Sequence, residues 1–168
     1  FKFSVGIYRL VCSNGLVVAD EQFSDFKIKH KGYTFNELRG VVNQAVEDLP
    51  NKVEVLNQMK SRVLSQEEKN KRALDAMLVR AGSAPDSEKA KKFNYDDETI
   101  IDILDPKRKE DEGDDLWRVF NVIQEKITQG DFHAALTGAK VRKVRKIKSF
   151  EKDLKVNKEL FKLATALV

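Results

Sequence analysis

Positively charged side chains dominate residues 140 to 148, where six Lys and Arg residues occupy nine positions with no acid among them. Guanidinium and ammonium groups at this density repel one another, and a polyanion lying alongside lowers that energy. The chemistry that this segment favours is therefore the binding of phosphate groups, as in a nucleic acid. The residues expected to contact phosphates are Lys140, Arg142, Lys143, Arg145, Lys146 and Lys148.

Apolar residues interrupt this basic run at a spacing of three: Val141, Val144 and Ile147. The run is therefore not a uniformly polar tail, and part of it should pack against an apolar surface. Whether the segment is helical or extended, it places several cations within reach of a phosphate track. The alternative interpretation is a solvated linker that is partly neutralised by acidic residues elsewhere in the chain.

A second group of lysines, Lys27, Lys29 and Lys31, lies on a predicted strand, with the rings of Phe26 and Tyr33 nearby. Proteins that bind single strands follow the backbone with cations and stack bases on aromatic rings. These lysines and Tyr33 could extend the phosphate track in that way. Lysines also protect exposed edge strands from aggregation, and that interpretation is equally open.

Candidate catalytic side chains are few. Cys12 lies where a strand meets a turn, which is typical of a small buried residue rather than a nucleophile. The two histidines, His30 and His133, have no metal-ligating neighbours at useful spacing, and no glycine pattern forms a phosphate-binding loop. We therefore expect no enzymatic activity, no cofactor and no bound metal.

One arrangement of carboxylates resembles part of a metal-dependent nuclease. Asp20 ends a predicted strand, and Asp25 and Lys27 lie on the next one, so two acids and a lysine could approach one cation and a scissile phosphate. No acid on a predicted helix completes the site. A carboxylate at a hairpin end beside a lysine facing solvent explains the same pattern.

The charge of the 168-residue chain is unevenly distributed, although its net charge is only +4. Residues 94 to 115 hold ten acids against three bases, and residues 137 to 168 hold ten bases against three acids. This asymmetry indicates one end that faces nucleic acid and an acidic stretch that is solvated or paired with basic surface. The acidic stretch could also imitate nucleic acid or dock on a basic host protein.

The elements that would position these residues predict an α+β fold, with a small antiparallel sheet covered by helices. Alternating apolar residues predict a hairpin around Ser13-Asn14-Gly15 and a third strand over 23–30. Apolar residues at helical spacing, with capping boxes at Thr34 and Ser65, predict the helices. These helices begin near residues 34, 50, 66, 97, 115 and 153.

The chain is expected to form a single α+β domain over residues 1–168, with a charged, solvated connector at 105–113 and a basic segment at 131–149. Its single cysteine fits a reducing compartment, and it has no apolar run that could cross a membrane. Phe1 lies inside a predicted strand, which indicates a fragment of a longer chain. Unpaired strand edges favour a homo-oligomer.

Three stretches together resemble a known family: Tyr8 to Val18, Asp114 to Glu125, and the basic segment leading into Asn157-Lys158-Glu159-Leu160. In order and spacing they are similar to the C-terminal portion of the phage/plasmid-like family called domain of unknown function 932. The resemblance implies a bacteriophage or other mobile-element origin and a bacterial cytoplasm. It implies no catalytic residue.

The first functional hypothesis is a non-enzymatic nucleic-acid-binding protein of a bacteriophage or mobile element, with single-stranded DNA as its expected partner. No motif that reads base edges is present, so binding should be independent of sequence. The alternative is a protein-interaction module that redirects or inhibits a host enzyme or defence complex. A metal-dependent nuclease is the third hypothesis.

Overall fold

The protein is represented by a computed structural model, which describes residues 2–3, 7–8, 17–18, 26–27, 39–40, 43, 46–47, 49–85, 87, 97–134 and 142–168. Helices dominate these residues, and short antiparallel strand pairs accompany them. The predicted α+β class is therefore confirmed. None of the described helices is both long and apolar enough to span a bilayer.

Four short strands come first in the chain: β1 (Lys2–Phe3), β2 (Ile7–Tyr8), β3 (Val17–Val18) and β4 (Phe26–Lys27). β2 pairs antiparallel with β3, as the predicted hairpin requires, and β1 pairs antiparallel with β4. The predicted turn lies outside the described residues. Most of the predicted third strand does too, so a three-stranded sheet and the homo-oligomer expected from its edges stay predictions.

Five helices have both ends within the described residues: α1 (Leu49–Ser61), α2 (Gln66–Arg80), α3 (Asp97–Leu104), α4 (Leu116–Gln129) and α5 (Phe150–Thr165). Pro50, expected to interrupt the helical pattern, lies in the first turn of α1, where its missing N–H group costs no hydrogen bond. Of the helix predicted from residue 34, residues 39–40, 43 and 46–47 are helical, and the others lie outside the described residues.

Side-chain caps fix the starts of α2 and α4. Ser65 and Glu68 form the predicted capping box of α2, each side chain accepting a hydrogen bond from the other residue's backbone N–H group. Asp115 caps α4 by accepting from the N–H group of Arg118 at 3.0 Å. Gly130 ends α4 in the left-handed conformation, with φ of 77°.

α4 occupies the centre of the fold and contacts α1, α2, α3 and α5. Because neighbours surround it, most of its side chains are buried, including Leu116, Ile123 and Ile127. Trp117 stacks on Phe120, as expected of core residues rather than exposed base-stacking ones. Phe120 also meets Phe161 of α5 edge to face, with ring centroids 5.8 Å apart.

The predicted connector at 105–113 is structured in part. It contains a short 3-10 helix, Lys109–Asp111, and Asp111 is buried. Arg108 forms ion pairs with Asp111 at 3.2 Å and with Glu125 of α4 at 2.6 Å. The expectation of a wholly solvated connector is therefore wrong at Asp111, because the guanidinium of Arg108 joins this carboxylate to the helix that forms the core.

Candidate nucleic-acid interface

Residues 142–148, which we call the basic strap, cross the C-terminal end of α4. The strap begins as strand β6 (Arg142–Lys143), paired antiparallel with β5 (His133–Ala134), and continues without helical structure to the start of α5. The N–H group of Val144 donates to the carbonyl of Phe132 at 2.8 Å, and that of Ile147 to the carbonyl of Thr128 at 2.9 Å. Backbone hydrogen bonds thus hold the strap on the last turn of α4 and on the segment that follows it.

Every third residue of the strap faces the core. Val144 and Ile147 are each only 7% exposed and belong to the main hydrophobic cluster. The prediction that the apolar residues of the basic run pack against the protein is therefore confirmed for these two, while Val141 lies outside the described residues. The spacing of three leaves two outward positions for each inward one.

The outward positions of the strap carry its cations. Arg142, Lys143, Arg145, Lys146 and Lys148 are all exposed. Fully extended, at about 3.3 Å per residue, the seven residues of the strap would span roughly 20 Å. Along one strand of a B-form duplex, that length holds about six phosphates. The strap therefore displays a row of cations whose length suits several consecutive phosphates.

Gly130 allows the strap to approach α4 closely. A Cβ atom at this position would lie 2.3 Å from the carbonyl carbon of Arg145 and 2.5 Å from its oxygen, closer than any side chain tolerates. The positive φ of 77° separately favours glycine. Gly130 thus ends α4 and also provides the space through which the strap passes.

Arg80, the last residue of α2, lies beneath the strap. Its guanidinium donates hydrogen bonds to the carbonyl oxygens of Ile127 and Arg145, and only 9% of the residue is exposed. Burial lowers the pKa of Arg80, and the charge of Asp153 opposes that effect. Arg80 joins α2, the end of α4 and the strap, and its positive charge suits the negative end of the α4 dipole. No spacing in the sequence indicates this role.

Asp131 links a further lysine to the strap. Its carboxylate binds Lys107 at 2.9 Å and Lys143 at 3.2 Å. The hydrogen bond from Lys107 is the main cause that lowers the pKa of Asp131 to about 2, and the bond from Lys143 adds to it. Within the described residues, Lys143 is the one exposed strap cation with an ion pair. Lys107, predicted only as part of the connector, therefore belongs beside the strap.

Several predicted site residues lie outside the described part of the chain. For Lys27 the backbone is described, in β4, but not the side chain. A continuous groove formed by both lysine groups therefore stays a prediction. The other candidate site residues predicted from the sequence that lie outside the described part are Lys140, Lys29, Lys31, Tyr33, Cys12, Asp20, Asp25 and His30. His133 is exposed in β5, and within the described residues no cluster of His, Cys, Asp and Glu could hold a metal ion.

Many acids of the stretch 94–115 are paired within the protein. Asp102 binds the buried Lys126 at 3.2 Å, and Asp114 binds Lys69 at 2.8 Å. Asp115 binds Arg118 at 2.9 Å, in addition to its cap. With Asp111, four of the nine described acids of the stretch are therefore paired within the fold. Its exposed acids in the described part are Asp97, Glu98, Asp105, Glu110, Glu112 and Asp114.

The fold and the strap define an α+β protein that displays a row of cations on a rigid framework. The chain belongs to the family described as Domain of unknown function (DUF932), whose model matches residues 1–161. This finding confirms the family resemblance. The family's description states no function.

Two relatives come from Escherichia coli (strain K12). The chain is 29% identical to UPF0380 protein YafZ and 28% identical to UPF0380 protein YfjQ, each over 173 aligned positions. The alignments cover 100% of this chain and 58% of each relative, so the chain spans little more than half of their length. No solved structure matches the chain.

Proposed function

We propose that this protein binds nucleic acid without catalysing a reaction, and that the basic strap is its phosphate-contacting surface. Single-stranded DNA is the proposed partner. A role in a bacteriophage or other mobile element, inside a bacterial cell, accompanies the proposal because the family resemblance implies it.

The observation that supports this proposal is the segregation of side chains along the strap. Val144 and Ile147 are buried, while the five cations of the strap are exposed. A solvated linker, the competing interpretation, would not need buried anchors or backbone bonds to α4. The strap has both, so its backbone is held in place before any partner arrives. Binding by such a surface orders side chains but not the backbone.

The chemistry of the strap favours backbone contacts over base recognition. Lys and Arg side chains along an extended segment contact phosphates, which position a nucleic acid but carry no sequence information. The proposed binding is therefore independent of sequence and strongly weakened by salt, because each neutralised phosphate releases counterions.

The alternative proposal, docking of the acidic stretch on a basic host protein, depends on the acids that remain exposed there. The ion pairs of Asp102, Asp111 and Asp115 make it the weaker candidate, since paired carboxylates have less attraction for a partner. A pull-down from bacterial lysate with added nuclease separates the two proposals. Protein partners that survive the nuclease favour docking, and partners lost with the nucleic acid favour the strap.

A salt titration of single-stranded oligonucleotide binding tests the main proposal. If all five strap cations contact phosphates, log K should fall against log salt with a slope of about −3.5, since each contact contributes about −0.7 for a single strand. Negligible affinity at low salt would refute the proposal. The same samples, incubated with Mg²⁺ or Mn²⁺, show whether the strand is cleaved, as the nuclease hypothesis requires.

A quadruple variant assigns the salt dependence to the strap. Changing Arg142, Lys143, Arg145 and Lys146 to Ala should flatten the slope by about 2.8, the share of four phosphate contacts. The matched control changes four exposed lysines on other elements to Ala: Lys60, Lys71, Lys109 and Lys162. Both variants lose the same net charge. Equal slopes for the two would show that overall charge, rather than the strap, attracts the nucleic acid.

A further inference from the structure

An exposed aromatic ring lies directly beside the strap. Phe150 is 73% exposed, the largest value among the exposed large apolar side chains of the described residues. The other aromatic residues whose burial is described, Trp117, Phe120, Phe132 and Phe161, are buried or packed against the core. Phe150 therefore differs from every other described ring in the chain.

The position of Phe150 relative to the cations follows from its place in the sequence. Lys148 is two residues earlier, so the two Cα atoms lie within about 7 Å of each other. Phe150 and Asp153 are three residues apart on α5 and so share a face of that helix. Burial raises the pKa of Asp153, and the nearby charges of Lys146 and Arg80 oppose the rise. The ring therefore lies at the start of α5, on the same face of that helix as Asp153 and two residues beyond the last cation of the strap.

The backbone on both sides of Phe150 is fixed. Ile147, three residues earlier, donates to the carbonyl of Thr128 at the end of α4. Ser149 caps α5, its hydroxyl accepting from the N–H group of Lys152 at 3.3 Å. Phe150 is the first residue of the helix so capped. Because the backbone is held in this way, stacking of a flat group on the ring restricts only the rotamers of the side chain.

We propose that Phe150 stacks on an unpaired base of a strand whose phosphates follow the strap, so that the protein prefers single-stranded nucleic acid to duplex. This inference rests on the proposed function. Aromatic rings beside a cationic track bind bases of any identity, because every base has a π face. In a duplex the bases are already stacked on each other and are not available to the ring.

Charge keeps the phosphates and the base at different places on this surface. Glu151 follows Phe150, is exposed, and lies with Asp153 in the first turn of α5. These carboxylates repel phosphate, so the nucleic-acid backbone stays over the strap and a neutral base reaches the ring. An apolar partner would leave the adjoining row of cations unpaired, whereas a nucleic acid offers phosphates to the cations and a flat base to the ring.

Substitution of Phe150 tests the inference on the full chain. Phe150→Ala should weaken binding to single-stranded oligothymidine by about 5- to 150-fold, the loss of one stacked base. The slope of log K against log salt should not change, because no phosphate contact is removed. Phe150→Trp should keep the affinity, and the fluorescence of its new indole should be quenched by the oligonucleotide. Ile101→Ala, which shortens another exposed apolar side chain, is the matched control.

A strand with abasic sites gives an independent measurement. Removing the bases while keeping the phosphates should weaken wild-type binding to the level of Phe150→Ala, and should not weaken that variant further. If Phe150→Ala binds oligothymidine as tightly as wild type while the salt slope remains steep, the stacking inference is wrong and the proposed function stands. If wild type does not bind at low salt, the proposed function fails, and the inference with it.

Discussion

The basic strap and the acidic stretch 94–115 are equally conspicuous in the sequence, but the fold uses their charges differently. Acids of the stretch pair with Lys69, Lys126, Arg108 and Arg118, and Asp111 is buried. The strap instead buries its apolar residues and exposes its cations. Charge density alone therefore does not show which charges are available to a partner. The pairing within the fold decides that.

Location explains the difference between the two regions. The acidic stretch includes α3 and the start of α4, where carboxylates cap helix ends and meet cations of neighbouring elements. The strap crosses the opposite end of α4, where the free carbonyl groups are the partners. The backbone N–H group of Ile147 donates to the carbonyl of Thr128, the guanidinium of Arg80 donates to that of Ile127, and the charged side chains of the strap stay exposed.

The largest effect on stability is expected from a substitution that blocks the close approach of the strap to α4. Gly130→Ala places a Cβ atom against the backbone of Arg145, and Gly82→Ala is the control, with φ of 78° and nothing within 4 Å. Both substitutions should cost about 1–2 kcal/mol for the left-handed conformation. The clash should cost Gly130→Ala about 1–3 kcal/mol more. Urea unfolding measures both variants.

Nucleic-acid binding should follow the same distinction between the two glycines. Gly130→Ala displaces the strap and should weaken single-strand binding under conditions in which the protein remains folded. Gly82→Ala should bind as wild type does. Equal unfolding midpoints for the two variants would contradict the close approach of the strap to α4.

A smaller effect on stability is expected from Asp111, the more deeply buried of the two buried acids in the described part of the stretch. Asp111→Asn removes the charge that pairs with Arg108 and should destabilise the protein by about 1–3 kcal/mol, less than a fully buried pair, because Arg108 keeps Glu125. Its neighbour Glu112 is exposed, and Glu112→Gln should change stability by at most about 0.5 kcal/mol. Similar losses of stability in both variants would show that the burial and pairing of Asp111 do not stabilise the fold.

The smallest effect concerns Asp131, a described acid that forms an ion pair with the strap. The pKa of Asp131 is lowered to about 2 by Lys107 and Lys143. The stability that this carboxylate contributes is therefore present above its ordinary pKa of 3.8 and is lost as the pH falls from about 4 to 2. Nuclear magnetic resonance of the side-chain carboxyl carbon should give this low value, and Lys143→Ala should raise it. An unchanged value in that variant would mean that Lys143 is not a partner.

Asp131 also affects how many cations at the strap are available to phosphates. Asp131→Asn should strengthen single-strand binding at low salt, because it releases Lys107 and Lys143 to phosphates. Asp105→Asn, which removes an exposed acid of the acidic stretch, is the control for net charge. Equal gains in both variants would point to a general effect of charge.

Local features of the fold could be predicted from the sequence. The bounds of α3, the caps at Ser65 and Asp115, and the end of α4 at Gly130 follow from residue types that act on their immediate neighbours. The start of α5 was the exception. The helix was predicted from Asp153, but Ser149 caps it and Phe150 is its first residue, so the ring beside the strap was missed.

Contacts between distant parts of the chain could not be predicted in this way. Arg80 is 65 residues from Arg145, and no periodicity shows that the end of α2 will meet the strap. Lys107 reaches the strap only through Asp131. The spacing of Val144 and Ile147 did indicate an inward face, because burial of one face is a local pattern. The surface on which this inward face packs depends on which helix end the chain crosses, and that is not a local pattern.

The most direct test of the account maps where a single strand binds. Backbone amide resonances of the isotope-labelled protein, followed during titration with oligothymidine, should shift most at residues 142–150 and little along the acidic stretch from 97 to 115. Shifts concentrated on another surface, with residues 142–148 unchanged at saturation, would contradict the claim that the strap holds the phosphates.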